Sequence, residues 1–598
     1  MKAEAPWGGR APSQAPSEDA ILGSTDGQNA SANEPVPQAC SRRRFLSGMG
    51  SAGAAGIAAG LIGASPASGS NIFEKEAASE QFAGLGGKYN RAAEAYKIRH
   101  QAALYQRKLP QPAHPTNGDE SRYFNRIGNY SKGLPHNALG EVTPAAYGAL
   151  LLAIKSRLPL FFERIPMGCS ESGRRLVNPQ AGLAFDLQGA DSHHLAIPPA
   201  PAFASAEAAA EMAELYWMAL ARDVPFSQYD THPITNMAAE DLSRLSGFYG
   251  PRVEGRVTPS TLFRGLTPGD LVGPYISQFL CRPVPFGSQF IEPRMRSVLP
   301  GIDYMTNLDE FLAIQNGCPP ALADQFDETR RYVLCGRDLA QWVHVDVLFQ
   351  AYFNAAMILL APLHPDPLVS GIGAPYNPGN PYLASANQEG FGTFGPPALA
   401  TLVCEVATRA LKAVWYQKWF VHRRLRPEEY GGRVHQRISG AAKYPIHRDL
   451  LNSAAPAAVY GLYGTWLLPQ AFPEGSPLHP SYGAGHATVA GACVTILKAF
   501  FDENYVIPNP LVPHPDNPAE LIPYEGPPLT VGGELNKLAA NVAQGRNFAG
   551  IHWRTDYSAS VALGEAVAIS VLLDQRATCN EKFDGYTFTR FDGTTMTV

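Results

Sequence analysis

The 598-residue sequence carries few charged residues and no strong excess of either sign. Lys, Arg, Asp and Glu make up 17% of the residues, the net charge is −5, and no long basic run follows the first 50 residues. A nucleic-acid partner is therefore not expected, because such proteins carry a basic patch or stripe. Hydrophobic residues make up 45%, with 52 prolines and 56 glycines. This composition is typical of a well-buried globular protein with many rigid turns.

Cysteine is also scarce, and its spacing argues against two kinds of cofactor site. The eight cysteines form neither a CxxC pair nor a CxxCH motif. Structural zinc and c-type haem both therefore lack sequence support. Disulfides stay open, because their connectivity is not readable from the sequence.

The N-terminus resembles an export signal. Residues 41–46 are Ser-Arg-Arg-Arg-Phe-Leu, an apolar stretch rich in glycine and alanine follows at 48–64, and Ser-Pro-Ala comes next at 65–67. This pattern is similar to a twin-arginine signal cleaved near Ala67. It predicts a leader at 1–67 and a periplasmic or extracellular protein. Cleavage would remove Cys40 and leave an odd number of cysteines, at least one of them free or paired between chains.

The alternative interpretation of this stretch is a chance basic cluster in front of a membrane anchor. The apolar stretch falls short of the roughly 20 strongly apolar residues that a spanning helix needs. We therefore expect no stable membrane insertion.

Helical patterns dominate the rest of the chain. Thr143-Pro144 and Ser205 each provide a helix start followed by apolar residues on one face. Further helices are predicted at 338–360, 397–420, 486–502, 535–544 and 555–576, and the convincing strand pattern is at 586–591. The sequence predicts a mainly α protein of bundled helices with a few short strands.

Three blocks in the last third of the chain carry the chemistry. The first, at 418–427, contains Lys418 and Arg426 near the end of a long amphipathic run. Pro427 is expected to stop the helix and to let both cations point toward one pocket. A solvated basic helix end is the alternative for this block taken alone.

The second block, at 479–488, runs from His479 through a glycine-rich stretch into an apolar helix that begins near His486. Glycines before a helix let backbone N–H groups approach an oxyanion, and the positive end of the helix dipole favours that anion. On its own, a glycine-rich helix start is weak evidence for such a site.

The third block, at 546–556, contains Arg546, His552 and Asp556. On an unbroken helix Arg546 and His552 would lie on different faces, so the Ala549-Gly550 pair is predicted to break the helix. Asp556 lies four residues after His552, a spacing that lets a carboxylate fix the imidazole tautomer. A hydrogen-bonded core histidine is the alternative for this block.

Together the blocks resemble the signature of the vanadium-dependent haloperoxidases, whose relatives include vanadate-inhibited acid phosphatases. The pattern is Lys-x7-Arg-Pro, then Pro-Ser-x-x-x-Gly-His, then Arg-x5-His-x3-Asp. The resemblance is dense from about 415 to 565 and thin before that. It implies helical bundles of the vanadium haloperoxidase type, in a two four-helix-bundle arrangement. The implied organisation is the leader at 1–67, a scaffold with oligomer contacts at 68–335, and a catalytic bundle at 336–598.

The resemblance also implies a cofactor, vanadate, and roles for individual residues. Lys418, Arg426 and Arg546 would neutralise its equatorial oxygens. His552 would bond to vanadium as the metal ligand, and His486 would be the acid–base group that handles the protons of peroxide. Hydrogen peroxide would then oxidise a halide to hypohalous acid, which halogenates small organic acceptors. A homo-oligomer, a dimer or larger, is implied as well.

The glycine-rich helix start completes the implied cofactor contacts and also departs from the family pattern. Gly485 would add a backbone N–H to the oxyanion. Ala484 stands where most relatives have a serine that hydrogen-bonds the cofactor, and Gly545 stands where many have another serine. A lost hydrogen bond to a charged group costs about 1.5 to 3 kcal/mol. We therefore expect altered activity rather than none.

Halide choice is predicted from His479, which lies outside the direct cofactor shell. In the family the matching residue is typically histidine in bromoperoxidases and aromatic in chloroperoxidases, so the resemblance implies bromide or iodide. Trp415 matches a tryptophan seen in both classes and does not discriminate. Two alternatives to a haloperoxidase stay open from the sequence: an acid phosphatase that uses the same site, and a non-catalytic phosphate- or vanadate-binding protein.

Overall fold

The computed structural model describes residues 90–169, 173–366 and 369–598. The expected leader at 1–67 lies outside these residues. The described helices are α1 (Arg91–Lys108), α2 (Asp119–Arg122), α3 (Pro144–Ser156), α4 (Pro159–Phe162), α5 (Ala206–Leu220), α6 (Pro233–Arg244), α7 (Gln278–Cys281), α8 (Leu308–Gln315), α9 (Gly336–Trp342), α10 (Gln350–Leu360), α11 (Phe391–Phe394), α12 (Pro396–Tyr416), α13 (Pro427–Ile438), α14 (Arg448–Leu451), α15 (Ala454–Tyr463), α16 (Gly485–Phe500), α17 (Val531–Phe548) and α18 (Arg554–Arg576).

The prediction of a mainly α protein is confirmed. The strands form three short antiparallel hairpins: β1 (Val284–Phe286) with β2 (Gln289–Ile291), β3 (Leu511–Pro513) with β4 (Leu521–Pro523), and β5 (Thr587–Thr589) with β6 (Thr595–Thr597). The last hairpin contains the strand predicted at 586–591. The other two lie in proline-containing loops, where strands of three residues are too short to show an alternating pattern.

Four helices of the C-terminal half form a bundle around α16, which packs against α12, α17 and α18. Except for His486, every residue of α16 is buried. Glycines allow α16 and α18 to approach closely: a Cβ on Gly491 would collide with the Val561 carbonyl, and one on Gly564 with the Thr488 carbonyl. This close crossing places the first turn of α16 beside residues 560–564, in the second and third turns of α18.

A second group of helices surrounds α5, whose residues from Ala208 to Ala219 are all buried. Helices α6, α14 and α15 pack against it, and α17 also contacts it. The Ser205 hydroxyl accepts a hydrogen bond from the Ala208 N–H at 3.1 Å, which confirms the predicted helix start. The largest core draws on both helix groups. The division of the chain at 335/336 stays a prediction.

The prediction of one helix at 338–360 is wrong. The structure has α9 and α10, with a break at 343–349 between them. The sequence of this break contains neither glycine nor proline, so it gave no signal of an interruption. The break matters for function, because it carries Asp346.

The role predicted for Pro427 is also wrong. Helix α12 ends at Tyr416 and continues as a π-helical turn, Gln417–His422. Arg423 then adopts a left-handed conformation with φ of 43°, and Pro427 is the first residue of α13. A proline at this position is favoured, because the first helical N–H has no intrahelical acceptor.

All seven cysteines that the structure describes are free thiols. By length and composition, one described helix, α18, is apolar enough to cross a membrane. However, 61% of its most apolar window is buried inside the protein, against the other helices of the bundle. Its place in the protein core accounts for its composition.

Candidate vanadate site

The site lies where the ends of five helices meet, namely α12, α13, α16, α17 and α18. Lys418 is its first member. It sits in the π-helical turn that follows α12 and is fully buried. Its ammonium group donates to the Pro480 carbonyl at 2.7 Å and to the Ser481 carbonyl at 2.8 Å. The lysine thereby ties the end of α12 to the loop that leads into α16.

Arg426 is the N-cap residue of α13 and is fully buried. Its guanidinium group donates to the carbonyl oxygens of His479, at 2.9 Å, and Ile551, at 2.8 Å. It also donates to two imidazole rings, at His552 Nε2, 3.0 Å away, and His479 Nδ1, 2.9 Å away. One side chain therefore joins the second and third sequence blocks.

His552 lies between Arg426 and Asp556 in the loop before α18. Its Nδ1 donates to the Asp556 carboxylate at 2.7 Å, so Nε2 carries the lone pair that faces Arg426. Helix α17 ends at Phe548, and Gly550 has φ of +83°. The helix breaks where the Ala549-Gly550 pair predicts, and the break brings Arg546 and His552 to the same site.

Asp556 is a fully buried carboxylate that organises this region. Besides His552, it accepts hydrogen bonds from the Ser481 hydroxyl, the Trp553 N–H at 3.2 Å and the Arg424 guanidinium at 3.1 Å. Sequence reasoning missed Ser481 and Arg424. Both lie inside the blocks that were singled out, but nothing in their spacing indicates a shared partner.

Arg546 lies in the last turn of α17. Its Nη1 donates to the Val343 carbonyl at 2.6 Å, while its Nε is buried and has no hydrogen-bond partner among the described residues. The preceding residue, Gly545, has no room for a side chain. A Cβ there would lie 2.8 Å from the Leu339 carbonyl and 2.9 Å from the Val343 side chain. Close packing of α9 on α17 therefore explains why glycine replaces the expected serine.

His486 is the second residue of α16 and keeps 21% of its side chain exposed. Its Nε2 lies 2.9 Å from the Asp346 carboxylate. Sequence reasoning missed Asp346, because it lies 140 residues away in a stretch predicted to be helical. The pair fixes the orientation of the one predicted site histidine that remains open to solvent.

The first turn of α16 is held from two sides. The Ala484 N–H donates to the Ser560 hydroxyl at 2.8 Å. On the other side, the Trp415 ring lies over Gly485, where an added Cβ would come within 3.2 Å of it. The same ring packs against His479 with centroids 4.7 Å apart. Trp415 and His479 thus form one wall of the site.

The site has an excess of buried positive charge. In the described part of the chain, none of Lys418, Arg426 and Arg546 has a carboxylate within ion-pair distance. Burial lowers the pKa of all three, most strongly for Lys418 and to about 10 for Arg546, and the charge of Arg426 adds to the shifts of the other two. Burial and the adjacent cations also hold the pKa of His552 well below its ordinary value. Buried charge without a partner is costly, so the arrangement favours a bound anion.

The described residues contain no cluster of three His, Cys, Asp or Glu side chains that could hold a metal cation. Instead, Arg426 donates to His552 Nε2, and the charges of Lys418 and Arg546 also act on this imidazole. The donor set therefore suits an oxyanion rather than a bare metal ion.

Comparison with known proteins agrees with this chemistry. Residues 452–580 match the family model of the VCPO second helical-bundle domain. The chain is 38% identical over 566 residues to a vanadium-dependent bromoperoxidase of Corallina officinalis, a match that covers 81% of this chain and 92% of the relative. It is also 38% identical over 500 residues to one of Ascophyllum nodosum, covering 78% and 87%.

A solved structure also shows the same fold. The homohexameric second vanadate-dependent bromoperoxidase of Ascophyllum nodosum superposes with a TM-score of 0.79 at 33% identity. The match covers 87% of this chain and 95% of that chain. On the strength of these relatives and of the shared fold, the chain belongs to the family of vanadium-dependent bromoperoxidases.

Proposed function

We propose that this protein is a vanadate-dependent haloperoxidase that oxidises bromide or iodide with hydrogen peroxide, and that the hypohalous acid it releases halogenates organic acceptors. The observation that carries the proposal is the cluster of three buried cations, without carboxylate partners in the described chain, around the lone pair of His552. The names of the relatives, vanadium-dependent bromoperoxidases, support the part of the proposal that concerns vanadium and bromide.

The residues present fit vanadate. Lys418, Arg426 and Arg546 would balance its negative charge. The Nε of Arg546, which has no hydrogen-bond partner in the described part of the chain, is a donor ready for one of its oxygens. The amide of Gly485 lies in the first helical turn, where N–H groups lack intrahelical acceptors. His552 Nε2 is the nitrogen that would hold vanadium. When bound, vanadate supplies Lewis-acid activation of peroxide toward the halide.

His486 is placed to move the protons of peroxide. Asp346 accepts the Nε2–H hydrogen bond at 2.9 Å, which leaves Nδ1 as the nitrogen that takes up a proton and returns it. Because part of the His486 side chain is exposed, this proton can exchange with solvent.

The phosphatase alternative would use His552 as phosphoryl acceptor and His486 as leaving-group acid. To distinguish the two activities, purified protein is loaded with vanadate and assayed for bromide oxidation by peroxide, beside hydrolysis of a phosphate ester by the vanadate-free form. We expect peroxide-dependent bromination and negligible hydrolysis. Hydrolysis without bromination would contradict the proposal, and the absence of both activities would indicate a binding protein.

Phosphate should compete with vanadate for the apo-protein. The three cations recognise a tetrahedral oxyanion by charge and geometry, which phosphate shares. We expect millimolar phosphate to slow and weaken reconstitution, as measured by bromination after timed mixing with vanadate. Sodium chloride at equal ionic strength is the control. Equal inhibition by both salts would argue against a site that recognises the oxyanion.

Replacing His479 with Phe should improve chloride relative to bromide. In the parent protein, Arg426 Nη2 donates a hydrogen bond to His479 Nδ1 at 2.9 Å. A Phe ring cannot accept this bond, so the N–H of Arg426 would become available to the cofactor. A hydrogen bond to a charged group contributes about 1.5 to 3 kcal/mol, so we expect the chloride-to-bromide turnover ratio to rise about tenfold or more.

The control for this substitution is His435→Phe, at a half-buried histidine beside Trp466 and outside the site. It should leave the halide ratio unchanged. A parent protein that already turns over chloride as fast as bromide would show that His479 does not set the preference.

Export and assembly belong to the same proposal. The twin-arginine pattern at 41–46 supports delivery to the periplasm or the extracellular space. The homohexameric relative supports a homo-oligomer.

A further inference from the structure

A cavity of about 420 Å³ lies beside the site, between the β1–β2 hairpin, α7 and the break that separates α9 from α10. Its size falls within the range of about 300 to 1,000 Å³ that is common for small-molecule sites. Asp346 lines it, and the same carboxylate lies 2.9 Å from His486 Nε2. The cavity therefore adjoins the acid–base histidine.

The cavity is positively charged on balance. Its lining includes four arginines, Arg282, Arg294, Arg296 and Arg330, against two carboxylates, Glu292 and Asp346. Glu292 is paired with Arg294, and Asp346 is hydrogen-bonded to His486. Most of the remaining positive charge is therefore uncompensated within the lining.

Arg282 is the unusual member of this set. Only 1% of it is exposed, and no carboxylate in the described chain pairs with it. Its Nη2 donates to the carbonyl oxygens of Pro508 and Asn509, while its Nε is buried and has no hydrogen-bond partner among the residues that the structure describes. Burial lowers the pKa of its guanidinium to about 10. A buried cation in the cavity lining that has no carboxylate partner in the described chain favours an anionic ligand.

Three amide side chains, Gln341, Gln350 and Asn354, also line the cavity. The apolar and aromatic part of the wall includes Phe279, Leu280, Val284, Met295, Phe326 and Trp342. Phe326 is also covered by the Arg296 guanidinium, 4.5 Å from the ring centroid. Such walls suit a flat ring, and the arginines suit a carboxylate at one of its ends.

We propose that this cavity binds the organic acceptor as an aromatic carboxylate, with the carboxylate at Arg282 and the ring toward the Asp346–His486 pair. The inference rests on the proposed function, because the ring is halogenated by hypohalous acid leaving the neighbouring site. In that step a ring carbon forms a bond to bromine and the Br–O bond breaks. The displaced ring proton joins the hydroxide to give water.

Binding is tested first by calorimetry, without peroxide. The vanadate-loaded protein is used, so that the cofactor site is occupied and cannot take the probe. The probe is 4-hydroxybenzoate, and its neutral methyl ester is the comparison. We expect the acid to bind clearly more tightly than the ester and Arg282→Met to weaken acid binding at least tenfold. Arg164→Gln, at an exposed arginine outside the lining, should change nothing.

A second variant keeps the test decisive if thermal melting shows that Arg282→Met does not fold. Arg296 and Arg330 are exposed, so the double variant Arg296→Gln/Arg330→Gln should fold and bind the acid several times more weakly. Equal binding of acid and ester by the parent protein would overturn the inference. So would acid binding that the folded variants leave unchanged.

Selectivity provides the second measurement. An equimolar mixture of acid and ester is brominated by the enzyme and, separately, by added hypobromous acid. The quantity measured is the ratio of brominated acid to brominated ester. We expect this ratio to be several-fold higher with the enzyme than with added hypobromous acid. In Arg282→Met it should fall to the value obtained with hypobromous acid. Enzymatic bromination at the reagent's ratio would contradict the inference but not the proposed function. Binding without any bromination would contradict the proposed function alone.

Discussion

Replacing His552 with Ala is expected to abolish tight vanadium retention and bromide oxidation while leaving the protein folded. The imidazole supplies the one nitrogen lone pair that faces Arg426 in this loop, and cationic side chains alone would hold vanadate only by charge. Asp556 keeps three other donors, from Ser481, Trp553 and Arg424. The loss in unfolding free energy should therefore stay at about 1 to 3 kcal/mol.

The measurement is the vanadium content after dialysis, beside urea unfolding of the same samples. His447→Ala is the matched control, since this histidine is partly exposed at the start of α14 and lies outside the site. It should retain vanadium as the parent does. If His552→Ala keeps both bound vanadium and activity, the assignment of the metal ligand is wrong.

Replacing Asp556 with Asn is expected to damage both stability and cofactor binding. An amide cannot match the four hydrogen bonds that the carboxylate accepts, and it leaves Arg424 with one carboxylate, Glu211, at 2.7 Å. Breaking a buried ion pair costs about 3 to 5 kcal/mol. The amide also no longer fixes the His552 tautomer, and loss of such a partner typically lowers metal affinity about 10- to 100-fold.

Urea denaturation and vanadate titration of Asp556→Asn measure the two effects separately. The control is Asp449→Asn, at a partly exposed carboxylate that accepts a hydrogen bond from Ser246 at 2.8 Å. It should change unfolding free energy by no more than about 1 kcal/mol. Unchanged stability and affinity in Asp556→Asn would show that the carboxylate does not organise the site.

The sequence located the cation cluster because its members fall in compact motifs whose order along the chain is distinctive. It could not locate Asp346, whose contact with His486 joins positions 140 residues apart. That contact depends on the break between α9 and α10, in a stretch where β-branched and apolar residues give no turn signal. Helix α9 packs on α17 close to this break, a long-range contact that the local sequence does not indicate.

In the fold, too, features set by local sequence could be predicted and features set by distant contacts could not. Helix starts marked by local chemistry, such as Ser205 and Thr143-Pro144, were predictable because a cap or a proline acts within one turn. The π-helical turn after α12 was not. This turn lets the Lys418 ammonium donate to the carbonyls of residues 480 and 481. The contact joins positions at least 62 residues apart, so the local sequence does not indicate it.

The same packing explains the departures from the family pattern. Gly545 leaves room for α9, because a side chain there would meet the Leu339 carbonyl. The Ala484 amide is already held by the Ser560 hydroxyl, so the helix start keeps its position without a serine. The three cations remain buried close to His552, whose pKa each of them lowers. A site preorganised in this way needs little rearrangement to accept its anion.

The most direct test of the central claim is a titration of vanadate-free protein with orthovanadate, in which peroxide-dependent bromide oxidation is measured at each addition. We predict activity that rises in proportion to added vanadate and levels off at one vanadium per chain, together with a much weaker response in Arg546→Ala. Bromide oxidation that is absent at every ratio, or that does not depend on added vanadate, would contradict the account.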